Sequence, residues 1–288
     1  MRRCRASDSA AGGRAVSENS ASVHFLYATA LGRGILKVIQ KSHVDRLVAK
    51  FLWSSASRPM IARYARRNNI HLDPAKKFGS FRDFFVRTRP DRAVDPTPGH
   101  LISPCDGLLS AYTIREDSSF AIKGSHYRLA DLLQDEELAR NYHGGDCLIF
   151  RLRASDYHHY CYIDDGYQGQ CHQIPGVLHS VQPIACETYP VYVLNRRCWS
   201  LLTTEHFGPV VQTEIGALIV GGIYNGLENA RFRKGMEKGH FELAGSTIVL
   251  LFQKDRIKLL PELASQLTDE REVLVDQCML IGTAKHIS

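Results

Sequence analysis

The chain has 288 residues, 44% of them hydrophobic and 23% charged, which excludes a disordered, collagen-like or coiled-coil protein. A core can be built at this length without disulfides or metal, and no apolar run approaches the ~20 residues that span a bilayer. The formal net charge of +6 is unevenly spread: residues 23–70 carry nine Lys or Arg against Asp45 alone, so a basic N-terminal quarter precedes a mildly acidic body. The eight cysteines form no CxxC pair and the N-terminus lacks the apolar core of a secretory signal, which predicts reduced thiols in a cytosolic compartment.

Residues 1–22, rich in Ser, Ala, Gly and Arg, have almost nothing to bury and read as a flexible tail. Beyond them Ala28, Leu31, Ile35, Val38 and Ile39 recur at helical spacing, and so do Val44, Leu47, Val48, Phe51 and Leu52. Two amphipathic helices are expected, with Ser42 capping the second and Pro59 opening a third that runs to about Arg67. Residues 23–70 thus form a basic helical segment suited either to an anionic membrane surface or to packing on the body. The charge comes with no aromatic-and-basic RNA motif and no zinc-finger spacing, so nucleic acid is not expected as a partner.

From residue 71 onward the pattern changes to short runs rich in Val, Ile, Tyr and Phe, punctuated by Gly, Pro and Asp. Cys147–Leu152, Tyr189–Leu194, Val210–Ile223, Ser246–Phe252 and Ile257–Leu260 read as strands, and Leu129–Arg140 as a helical insert. The expected class is α+β: amphipathic helices, then an antiparallel β-rich catalytic domain over 71–288, of sandwich or barrel-sandwich type.

Four segments place polar groups where such a core prefers apolar ones. Ser103-Pro104-Cys105-Asp106-Gly107 holds an acid in a turn bracketed by Pro and Gly. Asp156 to Gly166 packs two His, one Cys and three Asp into eleven positions. Neighbouring His158 and His159 point to opposite faces of a strand and cannot share an ion, whereas His159 and Cys161 share a face but are two ligands only. No metal is therefore expected. Glu214 to Ile223 is an apolar run whose glycines suit the close approach of a backbone or ligand. The last segment, Lys234 to Thr247, ends in Gly245-Ser246-Thr247 just before an apolar strand. Gly245 lacks a Cβ, so the bond to Ser246 can bend to bring the Ser246 hydroxyl onto the Gly245 carbonyl carbon.

Taken in this order, the segments resemble the phosphatidylserine decarboxylase family, whose proenzymes cleave themselves to make a pyruvoyl group. The resemblance runs from about Phe78 to Ile281 and includes SFRDFFVRTRPDRAVD from Ser80, the SPCDG turn, FAIKGSHYRLADLL from Phe120, DYHHYCYIDDG, PGVLHSVQP from Pro175, Asn195-Arg196-Arg197, EIGALIVGGI and KGMEKGHFELAGSTIVLLF. It implies cleavage between Gly245 and Ser246: the hydroxyl attacks the carbonyl to give an ester, elimination frees Gly245 as a new C-terminus, and loss of ammonia leaves a pyruvoyl group at Ser246. Residues 246–288 would then remain bound to residues 1–245 as a heterodimer. The pyruvoyl cofactor would form a Schiff base with the amine of phosphatidylserine and take up the electrons released as CO2 leaves, giving phosphatidylethanolamine at the cytoplasmic side of a cell membrane, where the protein sits peripherally. A pyruvoyl decarboxylase of a soluble amino acid and a non-cleaving β-rich binding module are the alternatives.

The same resemblance implies that Asp106 and a His after the Asp-Tyr-His run assist the cleavage. Here the sequence departs from the family, which reads Tyr-His-x-x-His and has Cys161 in the last position. His158 matches the family's first His, linked to decarboxylation, while the cleavage base falls to His159, to His158 in both steps, or to a Cys161 thiolate. A histidine is favoured, because a thiol with pKa ≈ 8.5 needs a strongly positive neighbour to ionise at neutral pH.

Overall fold

The computed structural model describes residues 21–41, 44–90, 92–117, 119–122, 125–217, 222–242, 246–268 and 271–285. Its helices are α1 (Ala21–Ala28), α2 (Ala30–Lys41), α3 (Val44–Trp53), α4 (Pro59–Arg67), α5 (Phe81–Phe85), α6 (Leu129–Leu133), α7 (Glu136–Arg140), α8 (Pro183–Thr188), α9 (Val191–Leu194) and α10 (Pro261–Ala264). Strands β1 to β8 are His100–Ile102, Gly107–Thr113, Ser119–Ile122, Ser125–Arg128, Asp146–Leu152, His159–Cys161, Gly166–Ile174 and Arg197–Thr204. Strands β9 to β16 are Gly208–Ile215, Ile223–Asn225, Ala230–Phe232, Glu237–Phe241, Ser246–Phe252, Ile257–Leu259, Val273–Val275 and Leu280–Ala284.

The α+β expectation is met. Eight antiparallel strands form the main sheet in the order β11-β7-β8-β9-β13-β5-β2-β15, and two three-stranded sheets, β1-β16-β14 and β10-β12-β6, stand beside it. Alternation along its central strands divides the core. Cys147, Ile149, Val249 and Leu251 pack with Tyr27 of α1, Leu132 of α6 and Val191 of α9. Leu148, Phe150, Leu152, Ile248, Leu250 and Phe252 pack with Tyr160 of β6 and Phe241 of β12. A third cluster joins Leu52 of α3, Ile61 and Ala65 of α4, and Phe81, Phe84 and Phe85 of α5.

The three basic helices appear as α2, α3 and α4, although α1 already starts at Ala21, inside the segment expected to be tail; Ser42 and residues 1–20 lie outside the described residues. Each helix uses one side for the body: Leu36 and Leu52 are buried while Leu31, Val38, Leu47 and Trp53 are exposed. The strand Ser246–Phe252 stands as expected. Tyr189–Leu194 does not, because Pro190 leads into a helical turn that buries Val191 and Tyr192. Packing overrides the β propensity of that run. The helical insert breaks into α6 and α7 at Gln134, whose φ is +53°, and Asp135 caps the second piece by accepting from the Leu138 N–H at 2.9 Å. The expected strand 210–223 ends at Ile215 and resumes as β10 at Ile223.

Candidate active site

Ser246 begins β13 opposite Leu152, the last residue of β5. On the other side of β5, Leu108 of β2 pairs with Arg151, so the turn that ends in Asp106-Gly107 lies beside the same strand end. Only glycine fits there: φ at residue 107 is +155° and a Cβ would stand 2.8 Å from the Arg151 carbonyl oxygen. Chain continuity from Leu152 through a tight turn to His158 adds the third component. Arg153 closes that turn on Asp156, its N–H donating at 2.7 Å and its Nη2 at 2.8 Å. Alternation puts Ser246 on the same face of the main sheet as Ile248, Leu250 and Phe252, the face covered by β6 and β12.

Ser246 is 1% exposed and its Oγ has no hydrogen-bond partner among the described residues. His158, also 1% exposed, has the same deficit at Nε2. Its Nδ1 lies 2.9 Å from the Asp156 carbonyl oxygen, which can only accept, so Nδ1 bears the proton and Nε2 is left as a bare lone pair. Burial lowers the pKa of His158 to about 4, with Arg87 and His159 adding to the effect. The ring packs 4.5 Å from that of Phe85.

His159 faces elsewhere, as strand alternation requires. Its Nε2 lies 3.0 Å from the Val86 carbonyl oxygen, and its ring is stacked between Tyr157 and His240. Together with Cys161 it lines a cavity of about 460 Å³ that Arg89, Arg92, Lys234 and Glu237 also border. Cys161 is buried with its Sγ 4.0 Å from that of Cys278. The contact with Cys278 and then burial push the Cys161 thiol well above its ordinary pKa, so it is no thiolate at neutral pH.

Asp106 is buried but engaged. Arg89 Nη1 donates to it at 2.7 Å and the Gln277 N–H at 2.9 Å, while Arg92 Nη1 lies 3.3 Å away. No hydrogen bond joins it to either histidine among the described residues, so the structure brings Asp106 to the same strand end as Ser246 but spends its carboxylate on the two arginines. Gly245 and residues 218–221 lie outside the described residues.

Sequence reasoning did not anticipate two sets of supporting residues. Phe85 and Val86, set by α5, contact His158 and His159 directly, and Arg82 of α5 binds Glu242 at 2.8 Å. Ser80 caps α5 by accepting from the Asp83 N–H at 3.2 Å, a signal present in Ser80-x-x-Asp83. The other set is a network around a buried ion pair: Lys238 Nζ lies 2.8 Å from Glu214 Oε1 and 3.2 Å from the Oδ1 of half-buried Asn225, and Tyr160 donates to the same Asn225 oxygen at 2.9 Å. Neither charge stands out in its strand, because Gln212 and Thr213 accompany Glu214, and Glu237 and His240 accompany Lys238.

A family profile described as phosphatidylserine decarboxylase matches residues 81–270. The phosphatidylserine decarboxylase proenzyme 2 of Clostridium acetobutylicum is 43% identical over 240 residues, 82% of each chain. Proenzymes of the same description are 35% identical over 279 residues in Clostridium botulinum (92% of this chain, 94% of that one) and 36% identical over 270 in Clostridium perfringens (90% and 92%).

Proposed function

The chain belongs to the phosphatidylserine decarboxylase family, and from that premise we propose that it is a self-cleaving, pyruvoyl-dependent carboxy-lyase acting on phosphatidylserine at a membrane surface. The observation that carries the reading is the pair of buried, partnerless atoms, Ser246 Oγ and His158 Nε2. A buried hydroxyl without a partner costs about 1–3 kcal/mol, and its persistence at the strand end is what an unreacted nucleophile requires.

In this reading His158 takes the Ser246 hydroxyl proton on Nε2. Its lowered pKa keeps that atom unprotonated throughout the physiological range. The Ser246 oxygen bonds to the Gly245 carbonyl carbon as the C–N bond breaks and the proton passes from His158 to the freed Ser246 nitrogen, giving an ester; loss of the Ser246 Cα proton with departure of the Gly245 carboxylate yields residues 1–245 and a 43-residue fragment, 246–288, and water then replaces the nitrogen, released as ammonia, to leave the ketone. A buried serine hydroxyl without a partner at the start of a strand fits a pyruvoyl origin. Once formed, that group supplies an electron-accepting carbonyl for the departure of CO2. His158, packed against Phe85, is shielded from water at this site. Asp106 acts as the anchor of its turn through Arg89 and Arg92, holding the β2 side of the strand end in place.

Substrate access from a bilayer is supported by the N-terminal helices. Leu31, Val38, Leu47 and Trp53 are more than half exposed, among the basic residues Arg33, Lys37 and Lys50. Apolar side chains inserted at the headgroup layer with cations beside them suit an anionic lipid surface. No helix among the described residues is long and apolar enough to cross a membrane, which accords with peripheral attachment. Intact mass spectrometry of the purified chain tests the chemistry: two fragments divided at Gly245–Ser246, and CO2 release from phosphatidylserine vesicles but not from free serine, are expected. A single uncut mass would refute the reading, and activity on free serine would redirect it to a soluble amine.

A further inference from the structure

Three side chains, two of which (His159 and Glu237) border the 460 Å³ cavity, converge with no hydrogen bond joining them among the described residues. His159 and His240 are direct cross-strand partners on β6 and β12, with ring centroids 4.8 Å apart. Glu237, three residues before His240 on β12, brings its Oε1 to 3.1 Å from His159 Nδ1 and 3.9 Å from His240 Nδ1. All three ligand atoms lie within 4.8 Å of one another.

The tautomer of His159 sharpens the problem. Nε2–H donates to the Val86 carbonyl, so the Nδ1 of the neutral ring is a lone pair, 3.1 Å from a carboxylate oxygen. His159 is only 4% exposed, and that Nδ1 has no hydrogen bond; His240 Nδ1 is likewise buried and without one. The His159 lone pair and the carboxylate repel unless a cation lies between them, and the unpartnered His240 Nδ1 stands beside both. A single proton can bridge one pair of these atoms, and the His159–Glu237 contact lacks hydrogen-bond geometry. One metal ion serves all three.

We propose that His159, Glu237 and His240 bind a divalent transition-metal ion of the zinc class. Two imidazole nitrogens and one carboxylate suit Zn²⁺ and its first-row neighbours, whereas Mg²⁺ and Ca²⁺ prefer oxygen-only sets. The His159–Val86 bond is the outer contact that ligating histidines characteristically make, fixing the tautomer and the ring. Three protein ligands leave a coordination position open toward the cavity, available to water or to an anionic group. The alternation rule separates His158 from this ion; β12 supplies the missing ligands through the spacing Glu237-x-x-His240.

Metal titration of the full chain, stripped with a chelator and competed against a chromophoric indicator, tests the site. One equivalent of Zn²⁺ should bind and Mg²⁺ should not compete. Glu237→Gln and His240→Ala should each weaken Zn²⁺ by at least about tenfold. Glu237 is half exposed at its side chain, so its conservative variant keeps the fold, which circular dichroism verifies. Co²⁺ in the same place should give visible d–d bands without a thiolate charge-transfer band. Absence of stoichiometric binding, equal affinity in Glu237→Gln, or a thiolate band assigning the ion to cysteine would each overturn the site. None of these readouts depends on chain cleavage or decarboxylation.

Discussion

Lys238 Nζ lies 2.8 Å from Glu214 Oε1, and neither side chain is reached by solvent. Glu214 belongs to β9 of the main sheet, which holds Ser246 on the neighbouring strand, and Lys238 belongs to β12, which pairs with the strand of His159. With Asn225 of β10 and Tyr160 of β6 bound into the same network, the ion pair cross-braces the sheet that carries Ser246 and the sheet that carries His159.

Removing one partner of such a pair strands a charge in the core. Lys238→Met is expected to destabilise the fold by about 3–5 kcal/mol, and Glu214→Gln with Lys238→Met by less than Lys238→Met alone, because the double change removes both charges. Urea unfolding in a Ser246→Ala background, where one chain unfolds as one unit, measures this. Additive losses would show that the two residues act independently.

Ser246→Ala should leave a single uncut chain without decarboxylase activity. His158→Gln is expected to slow self-cleavage by about 10²-fold or more, the usual scale for loss of a general base. His159→Gln, whose ring faces the cavity with Glu237, should slow it far less. Timed denaturing electrophoresis separates the two, and the reverse ranking would transfer the base to His159. Cys161→Ser should still cleave, since that thiol is held in its protonated form.

The depressed pKa of His158 has a sign that stability measurements can read. Unfolded, its imidazole titrates near 6.5; folded, near 4. Between those values the unfolded chain binds the extra proton, so this residue contributes nothing unfavourable above pH 6.5 and costs stability as pH falls from 6.5 toward 4, by about 3 kcal/mol in all. In the Ser246→Ala background, His158→Gln should therefore lose less stability over that interval than its parent. Parallel pH curves would mean that His158 is not a buried neutral group.

Much of this arrangement is legible in the chain because local rules and burial agree there. The run Ser246–Phe252 is uniformly apolar after Thr247 and is buried on both faces as β13, and the helical spacing from Leu31 to Val38 becomes α2. Adjacent histidines must diverge on a strand, and His158 and His159 do, one toward Phe85 and the other into the cavity with Cys161. What pattern cannot supply is pairing between segments distant along the chain. Lys238 meets Glu214, and His159 meets Glu237 and His240, only because β6, β10 and β12 form a separate sheet whose order is not sequential. Val191–Leu194 misleads for a different reason: its residue types favour a strand, but Pro190 and the packing of Tyr192 against Tyr127 settle it as a helical turn.

The N-terminal helices offer a prediction that keeps membrane binding apart from catalysis. The cluster of Leu52, Ile61, Phe81 and Phe85 couples α3 and α4 to α5, and through Phe85 and Val86 to both histidines. Deleting the helices would disturb the site as well as the membrane face, so outward side chains are the better target. Leu31, Val38 and Leu47 are 64–69% exposed and line no part of the core. Changing all three to Gln should leave the melting temperature within a degree or two of its parent, since exposed substitutions shift stability by about 0.5 kcal/mol or less. Binding to phosphatidylserine-rich vesicles should fall by tenfold or more, given about 1.5–3 kcal/mol for each large apolar side chain withdrawn from lipid. Cosedimentation with vesicles reads the first effect of the substitutions, and activity in detergent-dispersed substrate should be retained. Unchanged vesicle binding would assign these exposed side chains to some contact other than the bilayer.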